Sequence, residues 1–217
     1  MLRSANEMNI LTTDCQYAAR RDEELLEEYR SAKNREAFNQ LVIRYEAELY
    51  RYLYHYLGGN SANAEDVFQT VFIRIIERID TFDSDKKFRP WLYRIAANCA
   101  NDFLHKRKRF NVISIDEEFG RDGEALTIAE TLEGRETLPE TKAVSDEEAR
   151  RVRDAVNLLP EKTKQALLLV YFQGLTYSEA AETLGIVKGS MPGRLRSAVD
   201  NLNNILKRQS QVRNDKT

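Results

Sequence analysis

The chain has 217 residues, 42% of them apolar and 31% charged, with a formal net charge of −2. That length suits one or two globular domains, and no stretch reaches the roughly 18 apolar residues that a membrane span requires. The near-neutral total hides a segregation: Lys86 to Arg109 holds eight Lys or Arg against Asp102 alone, Asp116 to Glu148 is strongly acidic, and the chain turns basic again from Lys188, a layout that suits two modules facing polyanions.

Residues 1 to 20 carry no clear periodicity and no apolar run of secretory-signal length. They are expected to form a loose tail on a cytoplasmic protein. Outside the middle, the chain repeats its apolar residues at helical spacing without sustained alternation, so the expected fold is all-α. "DEELLEEYRSAK" predicts a short helix. The next helix has Asn34 as its N-cap and stops at Gly58-Gly59. A third starts at Asn63, whose side chain caps the first turn while Asp66 meets the positive end of the helix dipole. The stretch "FRPWLYRIAANCANDFLHKRKR", residues 88 to 109, predicts a fourth.

Between 111 and 145, glycines, Pro139 and the acidic excess predict a flexible linker. The first domain therefore spans 21–110 and the second 146–210. In the second, one helix ends before Pro160, the next stops at Gly174, a third is capped by Thr176 and stopped by Gly185, and a last one closes the chain. The short helix, Gly-centred turn and second helix have the layout of a helix-turn-helix. Its second helix would bring Ser190, Arg194, Lys188 and Arg196 to the major groove.

The fourth helix raises the central question, because it is both greasy and cationic. Trp91, Leu92, Ile95, Ala96, Cys99, Ala100, Phe103 and Leu104 form one apolar band at 100° per residue. Arg94, Asn98, Asn101, His105 and Lys108 line up on another face, suited to phosphates and base edges. The same spacing also suits an ordinary solvated face. The run Lys106, Arg107, Lys108, Arg109 favours nucleic acid, since crowded like charges need a counter-charge. Just upstream, Phe82, Phe88 and Trp91 interleave with Lys86, Lys87 and Arg89. Such rings either stack on unpaired bases or plug the core.

No catalytic chemistry is expected. His55 and His105 lie in unrelated surroundings, no phosphate-binding glycine motif occurs, and the carboxylates lack a partner set that would tune an acid or base. Cys15 and Cys99 match no metal or disulfide spacing, so neither cofactor nor metal is expected. Cys99 reads as a small buried hydrophobe.

Three ordered segments, "NAEDVFQTVFIRI", "FRPWLYRIAANCANDFLHKRKR" and "LPEKTKQALLLVYFQGLTYSEAAETLGI", resemble the sigma factors of bacterial RNA polymerase. More narrowly, they resemble the two-domain extracytoplasmic-function (ECF) group of the sigma-70 superfamily. The resemblance runs from about Asp22 to Arg208. It implies that Asp66, Gln69 and Phe72, with Thr70 where the family usually carries an acid, dock on the β′ clamp helices of core polymerase. It further implies that the loop from Thr81 to Phe88, with Phe82, Lys86, Lys87 and Phe88, captures a flipped minus-10 base. Arg89, Trp91, Arg94, Asn98, Asn101, His105 and the basic run 106–109 would hold the melted strands.

The second domain would read the minus-35 element through Thr176, Tyr177, Lys188, Ser190, Arg194 and Arg196, and bind the β flap, while the acidic linker threads the polymerase cleft. Implied partners are core RNA polymerase, promoter DNA as duplex and single strand, and, as the family admits, an anti-sigma protein. A stand-alone helix-turn-helix regulator is the competing reading. It would need neither the "AEDVFQ" helix nor the aromatic-basic loop. Val187, Pro192 and Gly193 depart from the family pattern. Because proline costs roughly 3 kcal/mol inside a helix but little in its first turn, the recognition helix is expected to start late, between Ser190 and Pro192.

Overall fold

The computed structural model describes Tyr17 and residues 19–113 and 139–214. The rest of the expected tail, 1–16 and 18, and the stretch 114–138 of the expected linker lie outside the described residues. The first unit comprises α1 (Asp22–Ala32), α2 (Arg35–Tyr56), α3 (Ser61–Arg78), a 3₁₀ turn (Ile79–Thr81) and α4 (Phe88–Ile113). The second comprises α5 (Pro139–Asn157), α6 (Glu161–Leu167) running into a π turn (Leu168–Phe172), α7 (Tyr177–Leu184), a 3₁₀ turn (Lys188–Ser190) and α8 (Met191–Asn214). Among the described residues there is no strand, as the all-α reading required. None of these helices is long and apolar enough to cross a membrane.

Local chemistry sets most helix ends where the sequence placed them. Asn34 accepts the Glu36 N–H at 3.0 Å, which satisfies one of the orphan donors of the first turn of α2. The chain leaves α2 through Gly58 and Gly59 at φ +85° and +84°, a left-handed path that a side chain would strain. Thr176 and Glu179 form a reciprocal capping box at the start of α7, and Gly185 ends it at φ 62°. The recognition helix α8 begins at Met191, inside the window expected from Pro192. Lys188 to Ser190 instead form a 3₁₀ turn, closed by the Ser190 N–H to the Val187 carbonyl at 2.9 Å.

Three boundaries differ from the sequence reading. Helix α3 starts at Ser61 and is capped by Asn60, which accepts the Asn63 N–H at 2.8 Å. Asn63 therefore lies inside the first turn; Asn60 holds the extended backbone that a cap requires and comes directly after the two glycines. Helix α5 begins at Pro139, ahead of Asp146. Proline at the first helical position forfeits no hydrogen bond and has its φ already set. Tyr17, assigned to the loose tail, is buried in the core, and its hydroxyl accepts from Asn34 Nδ2 at 3.1 Å.

The core is continuous through both units. Leu25, Leu41, Leu49, Leu53, Val71, Ile75 and Leu92 fill the first, and the same cluster extends through Leu167, Leu168 and Leu175 of the second. Burying each Leu-sized side chain contributes roughly 1.5–3 kcal/mol. At the junction, the Tyr52 ring stacks on Tyr56 at 5.9 Å and meets Tyr93 edge-on at 5.3 Å.

The Tyr52 hydroxyl is buried with no hydrogen-bond partner. An unpaired buried hydroxyl costs about 1–3 kcal/mol. Tyr52→Phe is therefore expected to raise the stability of the chain by about 1 kcal/mol, read as a higher urea midpoint; a lower midpoint contradicts the assignment.

Candidate polymerase and nucleic-acid surfaces

Helix α4 is two-sided, as its sequence suggested. Phe88, Leu92, Tyr93, Ile95, Ala96, Ala97, Cys99 and Ala100 are buried, with Trp91, Phe103 and Leu104 partly so. Arg94, Asn98, His105, Lys106, Arg107 and Arg109 are exposed along the other side; the side chain of Lys108 lies outside the described residues. The N-terminus of α4 is tied down by α1, where Glu23 accepts the Phe88 N–H at 2.8 Å. A carboxylate there also meets the positive end of the helix dipole.

The loop ahead of α4 is built as a turn: Asp83 Oδ1 accepts the Asp85 N–H at 3.1 Å and the Asp83 carbonyl accepts the Lys86 N–H at 2.9 Å. Beside it lies a cavity of about 320 Å³. Phe82, Pro90, Trp91 and Ile95 form its apolar wall; Arg78, Lys86, Lys87, Arg94 and Asn98, with Thr81 and the carboxylates of Asp83 and Glu182, form its polar one. The sequence left the Phe82, Phe88 and Trp91 rings between stacking on bases and plugging the core, and the resemblance placed all three on the minus-10 strand. The structure corrects two of them: Phe82 is 6% exposed and Phe88 1%, both in the core. They prop Trp91, with ring centroids 5.0 and 6.0 Å from it. Trp91 is the one of the three left partly exposed.

Two other residues of the expected strand-binding set are already engaged. Arg89 is held in a fork by Glu48 at 3.2 and 3.3 Å and donates to the Gln173 carbonyl at 2.6 Å. Asn101 accepts from the Tyr56 hydroxyl and from Gln165 Nε2 at 3.0 Å. Both face the second unit, so the expected polar stripe splits at Asn101.

On α3, Asp66, Gln69 and Thr70 are exposed as expected, with the Thr70 hydroxyl bonded back to the Asp66 carbonyl at 2.8 Å. Phe72 is not part of that surface. It is buried against Phe38 and Phe68. The apolar residues that do face outward there are Ile73, 57% exposed, and Ile76, 43% exposed. They continue the line of Asp66 and Gln69 at helical spacing. Two isoleucines in the register of an exposed acid were the sequence signal that could have found them.

In the second unit, Thr176, Tyr177, Lys188, Ser190 and Arg196 are exposed and Arg194 is partly so. Ala180, Ala181 and Leu195 are buried between the helices, as the helix-turn-helix reading required.

The two units meet along a polar seam that the sequence did not announce. The π turn after α6 brings the Gln173 N–H back to the Leu168 carbonyl at 3.0 Å, and the Tyr93 hydroxyl donates to Gln173 Oε1 at 2.8 Å. Gln165 Nε2 donates to the Tyr56 hydroxyl at 2.8 Å. Lys164, itself buried, donates to the Tyr56 carbonyl and to Asn157 Oδ1, each at 2.9 Å. The Thr183 hydroxyl donates to the Glu179 carbonyl at 2.8 Å and lies 3.3 Å from the Pro90 carbonyl across the seam.

Burial also shifts two bases at this seam. Desolvation lowers the Lys164 amine to about 8. His55, whose ring lies 5.6 Å from Phe172, is lowered to about 4 by burial, then by the charges of Arg153, Arg51 and Lys164. Arg153 and Lys164 belong to the second unit.

With this geometry in view, the comparisons with known proteins are specific. Family models match at residues 41–110, described as Sigma-70 region 2, and at residues 149–199, described as Sigma-70, region 4. The chain is 34% identical over 162 residues to the ECF RNA polymerase sigma factor SigW of Bacillus subtilis, covering 75% of this chain and 84% of the relative. It is 32% identical over 171 residues to the ECF RNA polymerase sigma-E factor of Haemophilus influenzae, covering 79% and 88%. The solved structure of the sigma factor RpoE in complex with the anti-sigma factor NepR from Bartonella quintana shares the fold, with a TM-score of 0.60 at 22% identity over 78% of this chain and 96% of that one.

The seam should respond to pH through His55. Separating the units removes the second-unit cations and rehydrates the ring, which raises it from about 4 towards its ordinary value of 6.5, with Arg51 still beside it. A base whose value is lowered in the closed form stabilises that form above 6.5 and loses this contribution as pH falls from 6.5 towards 4. Lys164 acts with the same sign between 8 and 10.5. Lowering the pH from 7.5 to about 5 is expected to lower the exchange protection of the Leu168–Phe172 turn, taken relative to the intrinsic amide rate at each pH, and His55→Gln to flatten that response; protection that stays constant across the interval contradicts it.

Proposed function

The chain belongs to the sigma-70 family of RNA polymerase sigma factors, in its ECF group, and from that premise we propose how its residues divide the work of starting transcription. It is a non-catalytic specificity subunit that binds core RNA polymerase and directs promoter recognition, strand opening and initiation. The observation that supports this division is the pair of exposed lines on adjacent helices. The α3 line is acidic, amide-bearing and apolar (Asp66, Gln69, Ile73, Ile76), and the α4 line is basic and amide-bearing (Arg94, Asn98, His105, Arg109).

A mixed polar-apolar line is what a protein partner needs, because a buried apolar centre supplies affinity and a polar rim fixes register. The α3 line thus docks on the clamp helices of the polymerase β′ subunit. A cationic line with carboxamides suits separated strands, whose phosphates and base edges are both reachable. One unstacked base enters the cavity beside Trp91, and Arg94 and Asn98 hold the strand as it leaves. Residues 21–110 are the docking and minus-10 domain.

The second unit reads the minus-35 duplex through Thr176, Tyr177, Lys188, Ser190, Arg194 and Arg196, and binds the β flap. Because α8 starts at Met191, Lys188 and Ser190 approach DNA from the 3₁₀ turn and not from a helix. An anti-sigma factor, of the kind bound in the Bartonella quintana structure, is a further partner.

The test mixes the purified chain with core polymerase and scores association and promoter-dependent transcription. Ile73→Ser with Asp66→Ala is expected to weaken association about tenfold or more. Arg94→Ala with Asn98→Ala should leave association unchanged and lower open-complex formation on linear duplex, with relief on a promoter melted in advance. Sequence-specific duplex binding by a chain that never joins polymerase would instead favour the stand-alone regulator.

A further inference from the structure

The loop between Phe82 and Phe88 is tied at both ends to one face of α1. Glu23 accepts the Phe88 N–H at 2.8 Å, and the Arg30 guanidinium donates to the Phe82 carbonyl at 3.5 Å. Both side chains are partly buried. They lie two turns apart, roughly 10 Å along the helix axis, with Leu26 between them, 1% exposed and held in the core. The bond at Phe88 is short and charge-assisted; the one at Phe82 is long and weak.

No local residue can do what Glu23 does. The residue ahead of α4 is Lys87, whose side chain carries donors and no acceptor. A loop that keeps lysines at 86 and 87 for a phosphate gives up the Ser, Asp or Asn that would cap the helix locally. The orphan donor at Phe88 therefore takes its acceptor from another helix. Asp22, next to Glu23, extends the fastening: it accepts from the Tyr45 hydroxyl, and the Tyr45 ring meets Phe88 edge-on at 5.4 Å.

We propose that Glu23 is a positioning residue for base capture, with Arg30 as its weaker partner: α1 fixes both ends of the loop and so shapes the cavity beside Trp91 before an unstacked base arrives. The inference rests on reading that cavity as the base site. Neither Glu23 nor Arg30 lines it, so both act through the loop. Phe88 and Trp91 are three residues apart on α4, with ring centroids 6.0 Å apart. The bond that fixes the first turn of α4 thus also sets the ring that walls the cavity.

The interior of the loop needs no help from α1. Thr81 donates to the Arg78 carbonyl at 2.7 Å, and Asp83 closes the turn to Asp85 and Lys86. What remains to be set is where this turn sits against α4. The ion pairs of Lys86 with Glu182 and Lys87 with Glu179 are exposed, and exposed pairs are weak and screened by salt. The setting therefore falls to α1. Preorganisation raises affinity by removing an ordering cost, and its loss is felt by the ligand group that needs the order. Flexible lysines reach a phosphate wherever the loop sits; a base fits only a formed cavity.

The experiment uses the full chain assembled with core polymerase and three variants, Glu23→Ala, Glu23→Gln and Arg30→Ala. The probes are labelled single-stranded oligodeoxynucleotides from the non-template strand of a promoter that this holoenzyme opens, intact or with an abasic site at each minus-10 position in turn. On the parent, one abasic position is expected to lower affinity about tenfold. Glu23→Ala should lower affinity for the intact strand about fivefold and leave affinity for that abasic strand unchanged. Glu23→Gln keeps an acceptor oxygen and should recover most of the loss, and Arg30→Ala should cost about twofold. Association with polymerase is expected to stay constant throughout. In the free chain, exchange protection of the Phe88 amide should fall in Glu23→Ala and return in Glu23→Gln.

An equal loss on intact and abasic strands overturns the inference, because Glu23 would then support the fold and not the base site. A Phe88 amide as protected in Glu23→Ala as in the parent overturns it too, since Glu23 would hold nothing. If no abasic position costs the parent any affinity, the base-capture reading itself fails and takes this inference with it.

Discussion

Everything in this molecule depends on one helix satisfying two incompatible solvents. Helix α4 must be dry on the side of Leu92, Ala96, Cys99 and Ala100 and wet on the side of Arg94 and Asn98. The dry side is what makes the wet side useful: a cationic line positions a flexible polyanion only if its backbone cannot yield. Small residues at 96, 97 and 100 let the neighbouring helices approach closely, and Phe88 plugs the start of the helix against Tyr45. The aromatic-basic loop inherits this rigidity. Phe82 and Phe88 prop Trp91 from within the core.

The seam between the units adds polar contacts to the apolar core that runs through both. Exposed ion pairs such as Lys86–Glu182 contribute about 0–1 kcal/mol each. Neutral hydrogen bonds such as Tyr93 to Gln173 contribute about 0.5–1.5 kcal/mol. Against these stands the desolvation of Lys164 and His55, both bases lowered by burial. A charged amine sunk into a junction without a carboxylate partner is a cost that closure must overcome.

Much of the chemistry was legible in the sequence because it is local. Asn34, Thr176 and Gly185 end helices through bonds that span three or four residues, and Pro192 set the late start of α8 through its own missing N–H. Asp66 and Gln69 emerged on the surface because helical spacing alone puts them opposite Val67 and Val71. Where the reading failed locally, a nearer residue won the same role: Asn60 took the cap given to Asn63 because it follows the two glycines.

Sequence by itself determined the helical class, the two-sidedness of α4, the segregation of charge and the helix-turn-helix, since each is a periodicity or a run within one segment. Only the tertiary structure decided that Phe72, Phe82 and Phe88 face inward while Ile73 and Ile76 face out, and that Arg89 and Asn101 are taken by Gln173 and Gln165. The last two pair residues more than sixty positions apart, and Phe72 and Phe88 meet rings on α2. No spacing rule reaches that far; which of two aromatics is buried, or which cation meets which acid, depends on how helices from both ends of the chain come to lie against one another.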